Sequence, residues 1–232
     1  YREARIAARV PLSSAQEIIE DIPAIEQRII ESFNGSGVTV GLTGQAVLAS
    51  KMQTHMLDSQ LHSFGVALAV VSFVMIVLMR SVVLGLLAMI PNLLPIAIGL
   101  GAMTLIDIPL NPATVMIAAV ALGIVVDDTV HLMTAFERDV RSTGKVGAAI
   151  KSTLLEVGQP VMVTSVLLVA GFATLILGSF LPTRQVGGLV ALIVVAALIT
   201  DLIFLPAILR SMPDKLITKS LGRDERSLIK DN

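Results

Sequence analysis

The sequence predicts a mainly α fold, in which a bundle of five transmembrane helices follows a small α+β fragment. Of the 232 residues, 54% are hydrophobic and only 15% are charged, whereas about 45–50% of an ordinary soluble domain is apolar. From about residue 61 onward, five apolar stretches of roughly 18–25 residues follow one another, each long enough to cross a hydrocarbon layer of about 30 Å. The residues before them have the polar patterning of a water-soluble segment.

Residues 1–57 predict a strand-helix-strand unit at the edge of a soluble domain. A strand is expected over residues 4–10, and a helix over residues 18–33, where isoleucines recur at three- and four-residue steps. The Asn-Gly-Ser-Gly run at residues 34–37 indicates a turn. Residues 38–42 alternate in polarity as a second strand would.

The apolar stretches predict a transmembrane domain over residues 58–210, and a charged tail follows over residues 211–232. Buried helices of a large soluble core are the alternative, but five such runs in succession, separated by short polar links, favour membrane insertion. We place the helices near residues 62–79, 82–104, 112–135, 160–179 and 185–208.

Lysine and arginine are distributed unequally between the two sets of helix ends. The opposite loops offer only Arg184, whereas the basic set comprises Arg80, Arg138, Arg141, Lys145, Lys151, Arg210 and the basic residues of the tail. Because basic links stay in the cytoplasm, we expect a multi-pass protein of the cell inner (plasma) membrane, with its N-terminal part extracytoplasmic and its C-terminus cytoplasmic. Between the third and fourth spans, Gly144 predicts a break before a short helix along the inner membrane surface.

The strongest local signal is an acidic motif inside the third span, Gly-Ile-Val-Val-Asp-Asp-Thr-Val-His at residues 123–131. Each charged aspartate near the bilayer centre costs about 2.5–3.5 kcal/mol, so such residues face the bundle interior or a wet cavity and are usually functional. The alternative is that the pair lies near the cytoplasmic interface and binds neighbouring backbone groups.

The helical spacing places Gly123, Asp127 and His131 on one face, while Asp128 is turned about 100° away. Asp127 and His131 can therefore meet. Two carboxylates this close in a low dielectric repel each other when both are charged, which suits a proton relay with His131 as partner. The same pair could instead hold Na⁺ with help from Thr129, and His131 could be an interfacial histidine.

Other polar residues inside the spans are candidate supporting groups. Asn92 lies between two prolines at a predicted hinge. Thr164 and Ser165 could donate hydrogen bonds to the acidic pair, although bonds to their own helix are the alternative. Asp201 lies within two turns of the basic tail, and we expect it to pair with Arg210 or to reach the interface, with a role in transport as the alternative.

Several classes of function are excluded or disfavoured. With a formal net charge of −1 and no tryptophan, the chain lacks the basic, aromatic surface of a nucleic-acid partner. It has no cysteine, and it contains no Walker-type loop, no Gly-x-Ser-x-Gly elbow and no His-Glu-x-x-His motif. We therefore predict no enzyme activity, no cofactor and no metal site, and we expect energy to come from an ion gradient.

Four motifs resemble the resistance-nodulation-division (RND) superfamily, most closely its MMPL-like predicted exporters and more distantly Patched and Dispatched. They are Leu42-Thr43-Gly44, Pro91-Asn92-Leu93-Leu94-Pro95, Gly123-x-x-x-Asp127-Asp128 and Leu205-Pro206-Ala207. The resemblance implies two similar halves, each with one helix, a porter domain of ferredoxin-like subunits, and five more helices. This chain is similar to the end of one porter domain and the five helices after it, half of an RND-type membrane domain.

The resemblance also implies a function. The intramembrane acidic position of the family falls on Asp127, with Asp128 beside it, and both would couple ion flow to movement of the porter domain. The expected partners are membrane lipids, a hydrophobic, amphiphilic or lipidic substrate, and the other half of the transporter or a second copy in a homo-oligomer. The alternative is a lipid- or sterol-sensing scaffold that does not transport, and a lipid-modifying enzyme ranks last because no nucleophile or phosphate site is evident.

Overall fold

The computed structural model describes residues 6–7, 15–108, 112–214 and 217, and these residues are mainly helical. The helices are α1 (Ala15–Ser32), α2 (Gln45–Leu78), α3 (Val82–Leu87), α4 (Met89–Leu105), α5 (Pro112–Thr143), α6 (Val146–Glu156), α7 (Gly158–Thr174), α8 (Leu181–Ile199) and α9 (Leu205–Ser211). A 3₁₀ turn, Leu175–Leu177, follows α7, and a π-helical segment, Thr200–Phe204, joins α8 to α9. The chain divides into two units, Tyr1–Ser59 and Gln60–Asn232.

The described part of the first unit contains helices and irregular segments but no strand, so the predicted α+β fragment is wrong there. The turn after α1 forms as expected, with Gly35 and Gly37 at φ of 83° and 70°. Residues 38–42 are irregular, and no strand occurs among the described residues. A strand is stable only beside a partner, and the other predicted strand, residues 4–10, lies outside the described residues except for residues 6–7, which are also irregular.

Among the residues that the structure describes, five helical segments are long and apolar enough to cross a membrane, which confirms the predicted number. They are Ser50–Leu78, Val82–Leu105, Thr114–Thr143, Gly158–Leu177 and Leu181–Ser211. The second segment comprises α3 and α4, and the fifth comprises α8, the π-helical segment and α9.

The break at Gly144 is also confirmed. Gly144 has φ of 69°, a value that glycine adopts without strain, and its N–H donates to the carbonyl of Val140 at 2.8 Å, which closes the end of α5. Helix α6 starts at Val146 and packs against α5, α7 and α9.

Two apolar clusters form the core of the second unit. Cluster I comprises Met75, Met79, Leu84, Ala88, Met89, Leu132, Met133, Phe136, Val140, Val146, Ala149, Leu205, Leu209 and Ile217. Cluster II comprises Ile96, Met103, Ile117, Ala118, Ala121, Leu122, Val125, Leu189, Val190, Ile193, Val194 and Ala197. Helices α4 and α5 and the segment α8–α9 each contribute to both clusters, so the clusters lie one after the other along the bundle.

Helices α4 and α8 approach each other closely at Gly99. A Cβ atom at this position would lie 2.4 Å from Cγ1 of Ile193, which is 1% exposed and belongs to cluster II. Only glycine fits this contact without displacing a buried side chain.

Candidate functional site

The acidic motif lies at the middle of the third membrane-length segment. Asp128 is almost equally far along the chain from the two ends of the segment Thr114–Thr143. Helix α5 continues well beyond the apolar stretch visible in the sequence, and the motif therefore does not cap a helix end.

The two aspartates have different surroundings. The Asp127 side chain is 74% exposed, and its Oδ1 lies 3.6 Å from Nε2 of His131. Asp128 is only 8% exposed. The structure thus brings Asp127 and His131 together, as their four-residue spacing predicts, and turns Asp128 into the bundle.

Ser165 and Thr164 of α7 have different hydrogen-bond partners: Ser165 binds the acidic pair, and Thr164 binds its own helix. The Ser165 hydroxyl donates to Oδ2 of Asp128 at 3.2 Å, and Ser165 is 1% exposed. The Thr164 hydroxyl instead donates to backbone carbonyls of its own helix, at 3.0 Å for Val161 and 3.2 Å for Pro160. Ser165 is therefore the hydrogen-bond partner that α7 supplies to the acidic pair.

An open groove of about 470 Å³ lies between α5 and α7 at the acidic motif. Gly123, Asp127, Asp128 and Thr164 are among its lining residues. Since both carboxyl groups line it, the groove reaches from the exposed pair of Asp127 and His131 to the buried Asp128.

Asp201 is buried in the same site, whereas the sequence predicts that it pairs with Arg210 or reaches the interface. It is 0% exposed, and none of the ion pairs found among the described residues involves it. The guanidinium of Arg210 lies instead beside Gly147 of α6. The expected pairing of Asp201 with Arg210 is wrong, because the π-helical segment directs Asp201 towards α5.

Thr129 connects Asp201 to Asn92. Its Oγ1 lies 2.8 Å from Oδ1 of Asp201 and 2.7 Å from Oδ1 of Asn92. All three residues are 0% exposed. The hydroxyl therefore joins polar side chains from the fifth and second membrane-length segments within the core.

The prolines around Asn92 account for its surroundings. Pro95 has no N–H to donate to the carbonyl of Pro91, and the Thr200 hydroxyl lies 3.2 Å from that carbonyl oxygen and 2.9 Å from the carbonyl oxygen of Ala197 in its own segment. The Nδ2 of Asn92 donates to the carbonyl of Ala88 at 3.0 Å, beside the junction between α3 and α4. Partners on neighbouring elements thus satisfy the irregular backbone of this span.

These buried polar residues lie at one level of the bundle, between cluster I and cluster II. We call them the polar layer; its members are Asn92, Asp128, Thr129, Ser165, Thr200 and Asp201. On α5, for example, cluster II ends at Val125 and cluster I begins at Leu132. The polar layer therefore separates the two apolar clusters.

One feature of the sequence could have indicated this layer. Asn92 lies 10 residues after the start of its predicted span, residues 82–104, and Asp201 lies 7 residues before the end of its predicted span, residues 185–208; both of these span ends are on the basic side. Similar distances along helices that rise by about 1.5 Å per residue predict similar depth.

The described residues contain no group of three or more histidine, aspartate or glutamate side chains placed to hold a metal ion. The oxygens of the polar layer can accept or donate hydrogen bonds and can exchange protons.

Comparison with known proteins shows the family. The sequence profile of the MMPL family matches residues 4–225. The chain belongs to the MMPL family. A membrane protein of Methanocaldococcus jannaschii is 30% identical to this MMPL chain over 185 residues, which are 80% of the chain and 48% of the relative.

The MMPL chain thus spans about half the length of the curated relative that it matches. No solved structure matches it. The family match and the five apolar helices make it a multi-pass membrane protein, consistent with the resemblance carried by its motifs.

Proposed function

We propose that this MMPL chain is part of an ion-driven transporter, powered by the proton-motive force, that exports hydrophobic, amphiphilic or lipidic substrates. One observation carries the proposal: Asp128 is buried at the middle of a membrane-length helix and lines a groove that also contains Asp127. A buried carboxyl group in a membrane span is costly, and it is kept where it serves an ion pathway. The MMPL membership supports a transporter.

Within this proposal, Asp127 and His131 form the outer part of the ion pathway and Asp128 forms the inner part. The imidazole and the carboxylate of the outer pair can exchange a proton across their 3.6 Å separation once the side chains approach. Gly123 and Thr164 line the groove beside Asp127, and Ser165 orients Asp128. We assign Thr129 and Asn92 to the same pathway because they join Asp201 to it.

The exposure of one face of α5 is evidence that this chain binds a partner. Met116, Val120, Gly123, Asp127 and His131 recur at three- and four-residue steps and are all exposed. Charged side chains on a membrane span are too costly to face lipid tails. We propose that the other half of the transporter, or a second copy of this chain, covers this face, and that membrane lipids surround the remaining apolar surface.

The proposed topology places the first unit outside the cell inner membrane and the C-terminus in the cytoplasm. It rests on the unequal distribution of lysine and arginine between the two sets of helix ends.

Ion flux in proteoliposomes tests the coupling assignment. We expect an imposed pH gradient to drive proton flux through vesicles that contain the full-length protein, and we expect Asp128→Asn and Asp127→Asn to reduce it to the level of protein-free vesicles. The matched control is Asp107→Asn, since Asp107 is exposed and has φ of 51°, a conformation that asparagine also adopts.

Undiminished flux in Asp128→Asn protein of normal fold would contradict the assignment. Flux that follows a sodium gradient at constant pH would retain the ion pathway and replace the proton by Na⁺.

A second candidate function is a lipid-sensing scaffold that does not transport. An apolar groove of about 480 Å³ between α4 and α8, with Leu94, Ile98 and Phe204 among its lining residues, favours this function because its size and lining suit an acyl chain or a sterol. Saturable lipid binding without ion flux under any gradient would favour this function over the transporter.

A further inference from the structure

We propose that Asp201 is a proton-binding carboxyl group of this protein, held neutral within the polar layer, and that it and Asp128 form the inner proton site of the bundle. This proposal adds a residue to the proposed transporter function, and any role of Asp201 in transport rests on that function. It begins from the hydrogen bonds around Thr129.

The orientation of the Asn92 amide is fixed by its surroundings. Its Nδ2 lies 3.0 Å from the carbonyl oxygen of Ala88. A carbonyl only accepts hydrogen bonds, so the amide nitrogen must face it. The other end of the amide, Oδ1, therefore faces Thr129 at 2.7 Å and can only accept.

The Thr129 hydroxyl has one hydrogen and three acceptors within reach: Oδ1 of Asn92 at 2.7 Å, Oδ1 of Asp201 at 2.8 Å and the carbonyl oxygen of Val125 at 3.4 Å. Donation to Oδ1 of Asn92 uses that hydrogen. The remaining 2.8 Å separation joins Oγ1 of Thr129 and Oδ1 of Asp201, and it is a hydrogen bond only when Asp201 supplies the hydrogen. A protonated Asp201 donates to Thr129, and Thr129 donates to Asn92. Both short contacts of the Thr129 hydroxyl are then hydrogen bonds.

An ionised Asp201 would fit this position poorly. It is 0% exposed, and its Oδ2 has no hydrogen-bond partner among the described residues. Leaving a charged oxygen buried and unpaired is far more costly than leaving a neutral one. Of the elements packed against the π-helical segment, α4 has no titratable residue, and Arg210 of α9 is exposed and lies beside Gly147.

On α5, Asp128 directly precedes Thr129, the residue that contacts Asp201, and both carboxyl groups are buried in the polar layer. Two carboxylates in a low-dielectric core repel each other, so a pair that shares one proton is more stable than a pair with none. Asp128 has Ser165 as a donor and lines the open groove, whereas Asp201 is not among the residues that line the groove and competes with Asn92 for the single hydrogen of Thr129. The proton is therefore placed on Asp201 and the charge on Asp128.

A small cavity provides a second connection for Asp201. Its volume is about 20 Å³, and Asp201 lines it together with Phe136, Thr153 and Leu205 among others. A cavity of roughly 10–15 Å³ or more can hold one water molecule where polar groups bind it, and Asp201 and Thr153 are the polar residues that line this otherwise apolar cavity. Thr153 belongs to α6, so the cavity lies between Asp201 and α6. Release of the proton breaks the O–H bond of Asp201 and transfers the hydrogen to a water molecule there.

Infrared spectroscopy of the purified full-length protein tests this assignment without transport. At neutral pH we expect a carbonyl band of a protonated carboxyl group that shifts in D₂O. Asp201→Asn removes this band, whereas Asp128→Asn and the control Asp107→Asn retain it. Asparagine at position 201 keeps an N–H donor for Thr129, so the variant is expected to fold.

The surrounding hydrogen bond gives a second readout. Thr129→Val should move the band to higher frequency because the carboxyl group loses its acceptor, while Thr129→Ser should leave it in place. A wild-type protein without the band, a band that persists in Asp201→Asn, or a band that disappears when Na⁺ is added at constant pH would overturn the assignment.

The two proposals fail in different ways. A band that depends on Asp201, in a protein without ion flux, overturns the transporter and leaves the proton site. Flux that depends on Asp128, in a protein without the band, leaves the transporter and overturns the proton site.

Discussion

At the scale of single residues, the position of a side chain on its helix decides its role more than its charge does. Asp127 and Asp128 are neighbours in sequence, yet one is exposed beside His131 and the other is buried against Ser165. Helical spacing alone predicts this difference, because adjacent residues are about 100° apart.

Ser165→Ala tests the partner of Asp128, and Thr164→Ala is its matched control. Removing the Ser165 hydroxyl leaves Asp128 without its donor, and a hydrogen bond to a charged group contributes about 1.5–3 kcal/mol. We expect Ser165→Ala to lower the free energy of unfolding by an amount in this range and to reduce proton flux. Thr164→Ala loses only bonds to its own helix.

Unfolding followed by circular dichroism suits this measurement, since the protein has no tryptophan. Equal effects of the two substitutions would show that Ser165 does not support Asp128.

The role of Asp201 could not be predicted from its sequence neighbours. Its distance from Arg210 along the chain favoured an ion pair, because both residues lie near the same end of one predicted helix. The π-helical segment Thr200–Phe204 changes the helical register between them, and such segments are frequent at functional sites. Prediction from local spacing fails where the helix itself is irregular.

At the scale of elements, hydropathy predicts the membrane helices well and the first unit poorly. The five apolar stretches carry their own signal, since lipid imposes a minimum length and an apolar composition on each helix separately. The predicted strand over residues 38–42 depended on a partner strand, and a short alternating pattern does not supply one.

The contact of α4 with α8 gives a prediction about packing. In Gly99→Ala, the new Cβ would collide with Ile193, and overpacking of this kind costs about 1–3 kcal/mol. We expect a lower unfolding temperature and partial recovery in the double variant with Ile193→Ala, because the two residues are in contact. The control is Gly101→Ala, where nothing lies within 4 Å of the added atom.

An unfolding temperature of Gly99→Ala equal to that of Gly101→Ala would show that α4 and α8 do not approach as closely as described.

At the scale of the whole molecule, the polar layer and the exposed face of α5 differ in how far this chain covers them. The polar layer is enclosed by helices of the second unit. The face with Asp127 and His131 is not enclosed by the described part of this chain, and it carries the charged groups that lipid disfavours. The buried half of the proposed ion pathway is thus formed within the chain, and the exposed half requires a partner.

Cross-linking identifies that partner. These 232 residues include no cysteine, so Val120→Cys introduces the one thiol of this part of the protein, on the exposed face of α5. If a second copy covers this face, we expect oxidation to join two chains by a disulfide in native membranes. If the other half of a longer transporter covers it, we expect no cross-linked dimer and slow labelling by a membrane-permeant maleimide.

Leu167→Cys is the control, since Leu167 is 66% exposed on the apolar surface of α7, and we expect it to label rapidly without cross-linking. Equal and rapid labelling at both positions would mean that α5 faces lipid, which would contradict the proposed partner and leave the cost of an uncovered Asp127 without compensation.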